Sequence, residues 1–437
     1  MVKKIKVVWL CHFSNAFVHE KLDLHYNRMI GLVKRIAHKP VSTKVSEFSN
    51  WISNGIHEFE KFDDVELHII SPYPNLKERV QEFEDNGICY HFFRSEDDDF
   101  DVFMYKKLFH PTNYSYKRNC KVISHLIKRI NPVIVHLFGA ENPHYALGVL
   151  GINDNIIIIA QLQTLMNDPA FKDNYPISNS EYYYRAAVEH RIIMKANFIG
   201  TTVKKYRQII QKDIKPTAII LNTLLVLNEP VTKIHCDKQF DFVYFSANIN
   251  KAADLAFEAF GIAFQHSPNI TMDVIGAYDT ETMQSLEIIM SKYGIKHAIT
   301  FEGRLPSHDD VLKQIRKSRF ALLPLKIDIT SGTIREAMSN GLPVVTTDTG
   351  ELGTQTLNVK RQNVLISTIG DHNALAANML RILEDDVLAN TLRENSYQTR
   401  IEEKSNEVIA KRYVDAYRCC LDCTRDNLPL PKEITEV

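Results

Sequence analysis

The run Asp328-Ile-Thr-Ser-Gly-Thr-Ile-Arg-Glu336 sets two carboxylates on either side of a loop of small residues. An apolar run, Phe320 to Pro324, precedes it, and a helical pattern stopped by Gly341-Leu-Pro343 follows. A loop such as Ser331-Gly332-Thr333 that opens a helix presents backbone N–H groups without intrahelical acceptors, and those amides can cradle a phosphate. Glu336 falls in the first turn of that helix, where its carboxylate reaches ligand hydroxyls. The plain alternative is a helix start with an acid facing the positive end of the dipole. Two cations stand near other strand ends: Lys251 in Phe245-Ser-Ala-Asn-Ile-Asn-Lys251 and Arg304 in Phe301-Glu-Gly-Arg-Leu305.

In the first half, Val133-Ile-Val-His-Leu-Phe-Gly-Ala-Glu141 places His136, Gly139 and Glu141 at and beyond the end of an apolar run. Open α/β sheets bind ligands outside the carboxyl ends of their strands, so these residues face a cleft. His136 reads equally well as a satisfied core histidine. In Cys11-His-Phe-Ser-Asn-Ala-Phe17, either His12, Ser14 and Asn15 bond a ligand, or Ser14 and Asn15 cap the next helix. Cys419, Cys420 and Cys423 lack a second ligand pair at zinc spacing. The acidic run Glu96 to Asp101 lacks the spaced ligands of a calcium loop and reads as a solvated loop. Ala37 to Gly55 reads either as a surface loop leading into a helix around Ile56 or as a mobile acceptor loop near a cleft.

The elements that must hold these residues are short Val- and Ile-rich runs, each followed by a longer stretch of helical periodicity. They are Ile5–Leu10, Val65–Ile70, Val133–Leu137, Ile156–Ala160 and Phe198–Thr201, then Phe242–Ser246, Thr271–Ile275, Ala298–Phe301, Phe320–Leu323 and Pro343–Thr346. Continuous apolar runs of this length suit strands buried on both faces of a parallel sheet, with the helices as crossovers, so the class is α/β. Two such series flank a polar stretch, Asn222 to Gln239, that divides the chain near residue 230. The 437 residues carry 52 Lys+Arg against 53 Asp+Glu, a formal charge of -1. That balance argues against an overall electrostatic grip on nucleic acid. No apolar run approaches a membrane span, and the N-terminal apolar stretch is too short for a signal peptide. Seven Cys, an odd number, point to a reducing compartment.

The motif around Glu336 resembles that of the retaining glycosyltransferases of the GT-B fold, in particular glycosyltransferase family 4, also called group 1 transferases. The family pattern is an acid, seven residues, a glutamate, then Ala-Met-x-x-Gly-x-Pro-Val-Val and a strand ending in Thr-Asp. This chain has Asp328, seven residues, Glu336, Ala337-Met-Ser-Asn-Gly-Leu-Pro-Val-Val345 and Asp348. The resemblance implies two Rossmann-like domains with mostly parallel sheets facing a central cleft. Residues 1–230 would form the acceptor-side domain, 231–410 the nucleotide-sugar domain, and 411–437 a C-terminal helix and tail that crosses back or stands apart. By position it places Asp328 beside the donor sugar, the amides of Ser331, Gly332 and Thr333 on the diphosphate, and Glu336 on the ribose. Lys251 would pair with the donor diphosphate, and Arg304 would add charge there. His136 takes a catalytic place, and Asn15, Gly139 and Glu141 lie on the acceptor side.

The activity implied is retaining transfer of a sugar from a UDP- or GDP-sugar to a glycan or lipid-linked acceptor, in bacterial surface polysaccharide synthesis. It needs no metal and no cofactor beyond the donor substrate. The expected location is cytoplasmic, with peripheral membrane contact left open. The alternatives are a nucleotide-sugar epimerase on the same fold and a catalytically silent sugar- or partner-binding module.

Overall fold

A computed structural model describes residues 4–25, 28–36, 47–109, 113–174, 177–223, 231–233, 236–246, 252–326, 331–349 and 357–436. Asp328 and Lys251 lie outside the described residues, as does 37–46 of the segment read as a loop. The chain divides into two compact units: 1–173, 177–227 and 405–437 form the first, and 174–176 with 228–404 the second. The C-terminal helix Asn406–Asp426 therefore belongs to the first unit.

Among the described residues the first unit is built on eight strands, β1 (Ile5–Leu10), β2 (Val65–Pro72), β3 (Val80–Asp85), β4 (Ile88–Phe93), β5 (Ile134–Phe138), β6 (Ile157–Gln161), β7 (Phe198–Gly200) and β8 (Ile219–Leu221). Their order is β3-β4-β2-β1-β5-β6-β7-β8, and every neighbouring pair is parallel except β3 with β4. Val7 to Leu10 and all of β5 and β6 are buried, as strands covered on both faces must be. The antiparallel hairpin β3–β4, absent from the apolar-run reading, turns on Asn86 and Gly87, both at positive φ. Asn-Gly is the pair that a tight hairpin turn favours. The helix Asn50–Phe59 buries Ile52, Gly55, Ile56 and Phe59, so 50–55 is helical rather than loop.

Among the described residues the second unit has six parallel strands, β9 (Phe240–Phe245), β10 (Met272–Ile275), β11 (Ile299–Gly303), β12 (Ser318–Leu322), β13 (Val344–Asp348) and β14 (Val364–Thr368). The order is β11-β10-β9-β12-β13-β14. The order reverses direction between β1 and β5 in the first sheet and between β9 and β12 in the second. Loops leaving the two central strands diverge there and open a crevice at the carboxyl ends.

The acidic run Glu96 to Asp101 is not a solvated loop. Glu96 is 1% exposed, and Asp99 pairs with Arg79 at 3.1 Å, Arg118 at 3.0 Å and Arg94 at 3.4 Å. Three guanidiniums from separate elements converge on one carboxylate, so the run ties the first unit together.

Candidate functional site

The second unit's switch point carries the loop and helix that begin at Ser331. Helix Gly332–Ser339 starts one residue after Ser331, whose hydroxyl caps it by accepting from Ile334 N at 3.4 Å and stands 2.9 Å from Thr333 Oγ1. The amides of Gly332 and Thr333, at the first two helical positions, have no intrahelical acceptor and are available to an anion. Glu336 is the fifth residue of the helix, in its second turn and not the first. Its carboxylate folds back along the helix: a Cβ built on Gly332 would lie 3.9 Å from Glu336 Oε1. The same oxygen is 3.6 Å from Nε2 of His308, the first residue of helix His308–Ile315.

The surrounding framework holds this helix and its loop in place. Thr347 Oγ1 accepts from Leu325 N at 2.7 Å and donates to Leu325 O at 2.6 Å, and Thr346 Oγ1 donates to Leu323 O at 2.8 Å. The Thr-Thr of β13 therefore pins the segment that leaves β12. Arg335 pairs with Glu403, Arg400 pairs with the same carboxylate, and Arg400 Nε donates to Ser339 Oγ at 3.0 Å. Lys326, just before the undescribed segment, donates to Asp254 at 2.7 Å and bridges the β12 and β9 sides of the switch point. Arg304 is exposed beyond the edge strand β11, two strands from that point.

In the first unit the structure moves two residues out of the roles the resemblance lends them. His136 is 1% exposed, stacked between Phe138 (centroids 4.2 Å) and Tyr413 (5.5 Å), and its Nδ1 lies 2.7 Å from Tyr417 OH. Trp9 Nε1 donates to that same hydroxyl at 2.8 Å, so Tyr417 donates in turn to His136 Nδ1 and the ring proton sits on Nε2, which has no hydrogen-bond partner among the described residues. Burial drives the His136 pKa down to about 3, against a smaller opposing effect of Gln161. It is a neutral core histidine beneath the C-terminal helix and takes no catalytic place. Asn15 caps helix Ala16–Lys21, accepting from Val18 N at 2.8 Å and donating to Ser53 at 2.9 Å. Both ends of its amide serve the fold, so it too leaves the site.

Gly139 and Glu141 do sit at the switch point. Gly139 has φ +90, and a Cβ there would fall 2.4 Å from the Tyr145 hydroxyl, so only glycine lets the chain turn so closely. Glu141 Oε1 accepts from Asn142 Nδ2 at 2.9 Å, and burial raises its pKa. Sequence reading missed the neighbours that complete this corner. His144, in helix Pro143–Ala146, meets His12 edge to face with centroids 5.2 Å apart, and burial lowers their pKa values to about 4 and about 3. Glu189 lies fully buried nearby, accepting from Met166 N at 3.0 Å and Asn167 N at 3.2 Å, and burial takes its pKa to about 8. Asn-Pro-His after Glu141 is a plain helix start in sequence, and only β1–β5 pairing brings it beside His12.

Away from both switch points, a surface cavity of about 420 Å³ opens at the amino-terminal side of the first sheet, lined by Lys6, His68, Glu82, Cys89, His91 and Arg129. His68 Nδ1 and His91 Nε2 are 2.9 Å apart there, with Glu66 on the far nitrogen of one and Glu82 on that of the other.

These sheets and switch points define the GT-B fold of nucleotide-sugar glycosyltransferases. Residues 240–385 match the family described as Glycosyl transferases group 1. A sucrose-phosphate synthase from Thermosynechococcus elongatus superposes with a TM-score of 0.65 at 15% identity, covering 95% of this chain and 98% of that one. Anabaena HepE, solved with UDP and glucose, gives 0.62 at 10% identity over 95% of this chain and 99% of its own. An E. coli trehalose-6-phosphate structure, bound with UDP-2-fluoro glucose, gives 0.62 at 11% over 94% and 98%. No curated protein sequence matches significantly.

Proposed function

We propose that the protein moves a sugar from a nucleoside-diphosphate sugar, held by the second unit, to an acceptor bound by the first. The observation that carries this is the capped helix Gly332–Ser339 at the β9/β12 switch point. It offers free amides at its first turn and the Glu336 carboxylate folded back beside them. In this reading the Gly332 and Thr333 amides take the diphosphate, Glu336 takes the ribose hydroxyls, and Asp328 lies by the sugar. As the glycosidic bond breaks, negative charge gathers on the leaving diphosphate, and helix-end amides with Lys251 stabilise it without reorganising. Retention of anomeric configuration, independence of metal, and a glycan or lipid-linked acceptor in bacterial surface polysaccharide assembly follow from the family resemblance. Fold relatives solved with UDP make uridine the first base to test.

Calorimetry with UDP and GDP, followed by a nucleotide-sugar screen in chelator, tests the proposal. Binding of one nucleoside diphosphate and acceptor-dependent release of it are expected. Conversion of the sugar nucleotide with no acceptor present would favour an epimerase instead, and binding of neither nucleotide would overturn the donor site.

A further inference from the structure

We propose that His68 and His91 hold one proton between them, and that this proton works a pH-sensitive latch fastening the β3–β4 hairpin to the rest of the first sheet. The device stands apart from both switch points.

A chain of side-chain contacts crosses four strands and a helix on one face of the sheet. Lys6 on β1 pairs with Glu66 on β2 at 2.8 Å, and the same Glu66 oxygen lies 3.0 Å from Nε2 of His68, two residues along that strand. His68 Nδ1 is 2.9 Å from His91 Nε2 on β4. His91 Nδ1 contacts Glu82 on β3, and Glu82 pairs in turn with Arg129 of helix Lys117–Ile130. Register brings these residues together: Glu66 stands opposite Lys6 and Glu82 opposite His91, while the period of two keeps Glu66 and His68 on one face. Among the described residues β3 pairs only with β4, so the hairpin joins the sheet through the β2–β4 pairing, and the two histidines bridge that seam.

Three gaps lie in a row, carboxylate to ring, ring to ring and ring to carboxylate. Each needs one proton, because a carboxylate and a bare ring nitrogen both only accept. The carboxylates are ionised. Burial by itself would raise them, but Lys6 and His68 outweigh it at Glu66, and His91 and Arg129 outweigh it at Glu82, so both sit below the usual carboxylate range. The three protons therefore lie on ring nitrogens. Two neutral imidazoles supply two, and the third gives the pair a single shared positive charge. Without it, two lone pairs face each other across 2.9 Å, or a ring lone pair faces a carboxylate. Both histidines are 8% exposed, which leaves little water to relieve that repulsion.

Taken singly, His91 is pulled below the ordinary histidine value, chiefly by burial and against Glu82, with His68 and Arg129 adding to the pull. The pair holds a proton better than either ring alone, because the ring-to-ring contact turns from repulsion into a hydrogen bond when the proton arrives. The cavity's other titratable groups leave this balance intact. Burial and then Glu84 push the Cys89 thiol up, so it stays uncharged, and Tyr90 stacks on Phe83 at 4.7 Å. The docked hairpin thus binds the proton more tightly than an undocked one, whose histidines titrate near 6.5. Docking strengthens as pH falls through the pair's titration and weakens as pH rises.

The test follows the full chain, ¹⁵N-labelled on histidine, by NMR from pH 9 to pH 5.5, with His68→Gln and His91→Gln supplying the assignments. Both rings are expected to shift together in one step that ends with three of the pair's four nitrogens protonated. Over that step the β3 and β4 amides should gain about 10-fold in protection against hydrogen exchange, corrected for the intrinsic rate, the worth of one charged hydrogen bond. Amides of β7 and β8, at the opposite edge of the sheet, should not gain. His91→Leu leaves Glu66 with Lys6 and His68, and Glu82 with Arg129, but removes the bridge, so the gain should vanish. Rings that titrate separately, no shared step in this range, or a hairpin gain that persists in His91→Leu would overturn the latch. If His91→Leu does not fold, the parent's ring titration and hairpin amides decide by themselves.

Discussion

Replacing Tyr417 by phenylalanine deletes one oxygen from the core of the first unit and strands two partners. The hydroxyl accepts from Trp9 Nε1 at 2.8 Å and contacts His136 Nδ1 at 2.7 Å, and Trp9 and His136 are 0% and 1% exposed. Water cannot reach either group, so each carries the desolvation cost of an unsatisfied buried polar atom, about 1–3 kcal/mol apiece and about 2–6 kcal/mol together. Tyr413→Phe, one turn away on the same helix, is the matched control. Its hydroxyl donates to Gln161 Oε1 at 3.1 Å, but that oxygen also accepts from Thr223 at 3.1 Å and keeps a partner, so about 1 kcal/mol is expected. Both tryptophans, Trp9 and Trp51, lie in the first unit, so urea unfolding followed by tryptophan fluorescence reports that unit alone. Tyr417→Phe should lower its stability by at least about 1 kcal/mol more than Tyr413→Phe does. Equal losses would refute both the Trp9–Tyr417–His136 network and the core assignment of His136.

Glu336→Gln should weaken nucleoside diphosphate binding by about 10-fold with Tm within a degree or so of the parent, as calorimetry and thermal melting would show; unchanged affinity would remove Glu336 from the donor site. Thr347→Val leaves the Leu325 N–H and C=O without their shared partner. It should cost about 2–4 kcal/mol in urea and raise the donor KM more than it lowers kcat. Acid should destabilise the first unit. His12, His136 and His144 stay neutral when folded down to about 3, about 3 and about 4, whereas unfolded histidine protonates near 6.5. Between those values the unfolded chain binds more protons, so stability falls as pH falls, by about 2 kcal/mol per histidine at pH 5. Glu189, with a folded pKa of about 8, works the other way and returns about 2–3 kcal/mol between pH 7 and 5. A net loss near 3 kcal/mol in urea midpoints at pH 5 is expected, and stability rising toward pH 5 would contradict the neutral histidines.

Most of the sheet was legible because its strands are buried on both faces, which forces runs such as Val7–Leu10 and Ile157–Gln161 to be apolar throughout. The hairpin β3–β4 is not legible as an apolar run because β3 alternates, with Glu82 and Glu84 exposed on one face, and only the Asn86-Gly87 turn signals it. The donor loop was legible for a different reason: the residues from Ser331 to Val345 are contiguous, and capping, amide display and helix termination all act within a few residues. Local rules reach that far and little farther, as Glu336 shows by standing one turn deeper than its spacing suggested.

The first unit's corner was decided elsewhere. Nothing near His144 in the chain announces His12, and the two meet only because β1 and β5 pair across more than a hundred residues. The same holds for His136, whose neighbours in sequence are apolar while its hydrogen bond comes from Tyr417 at the far end of the chain. By itself the sequence determined the α/β class, the two series of strands and the donor helix, because burial patterns and caps are written in neighbouring residues. Which polar side chains would be stranded at a crevice, and which would be satisfied in the core, was decided by the tertiary structure alone, since hydrogen-bond partners are chosen by distance in space.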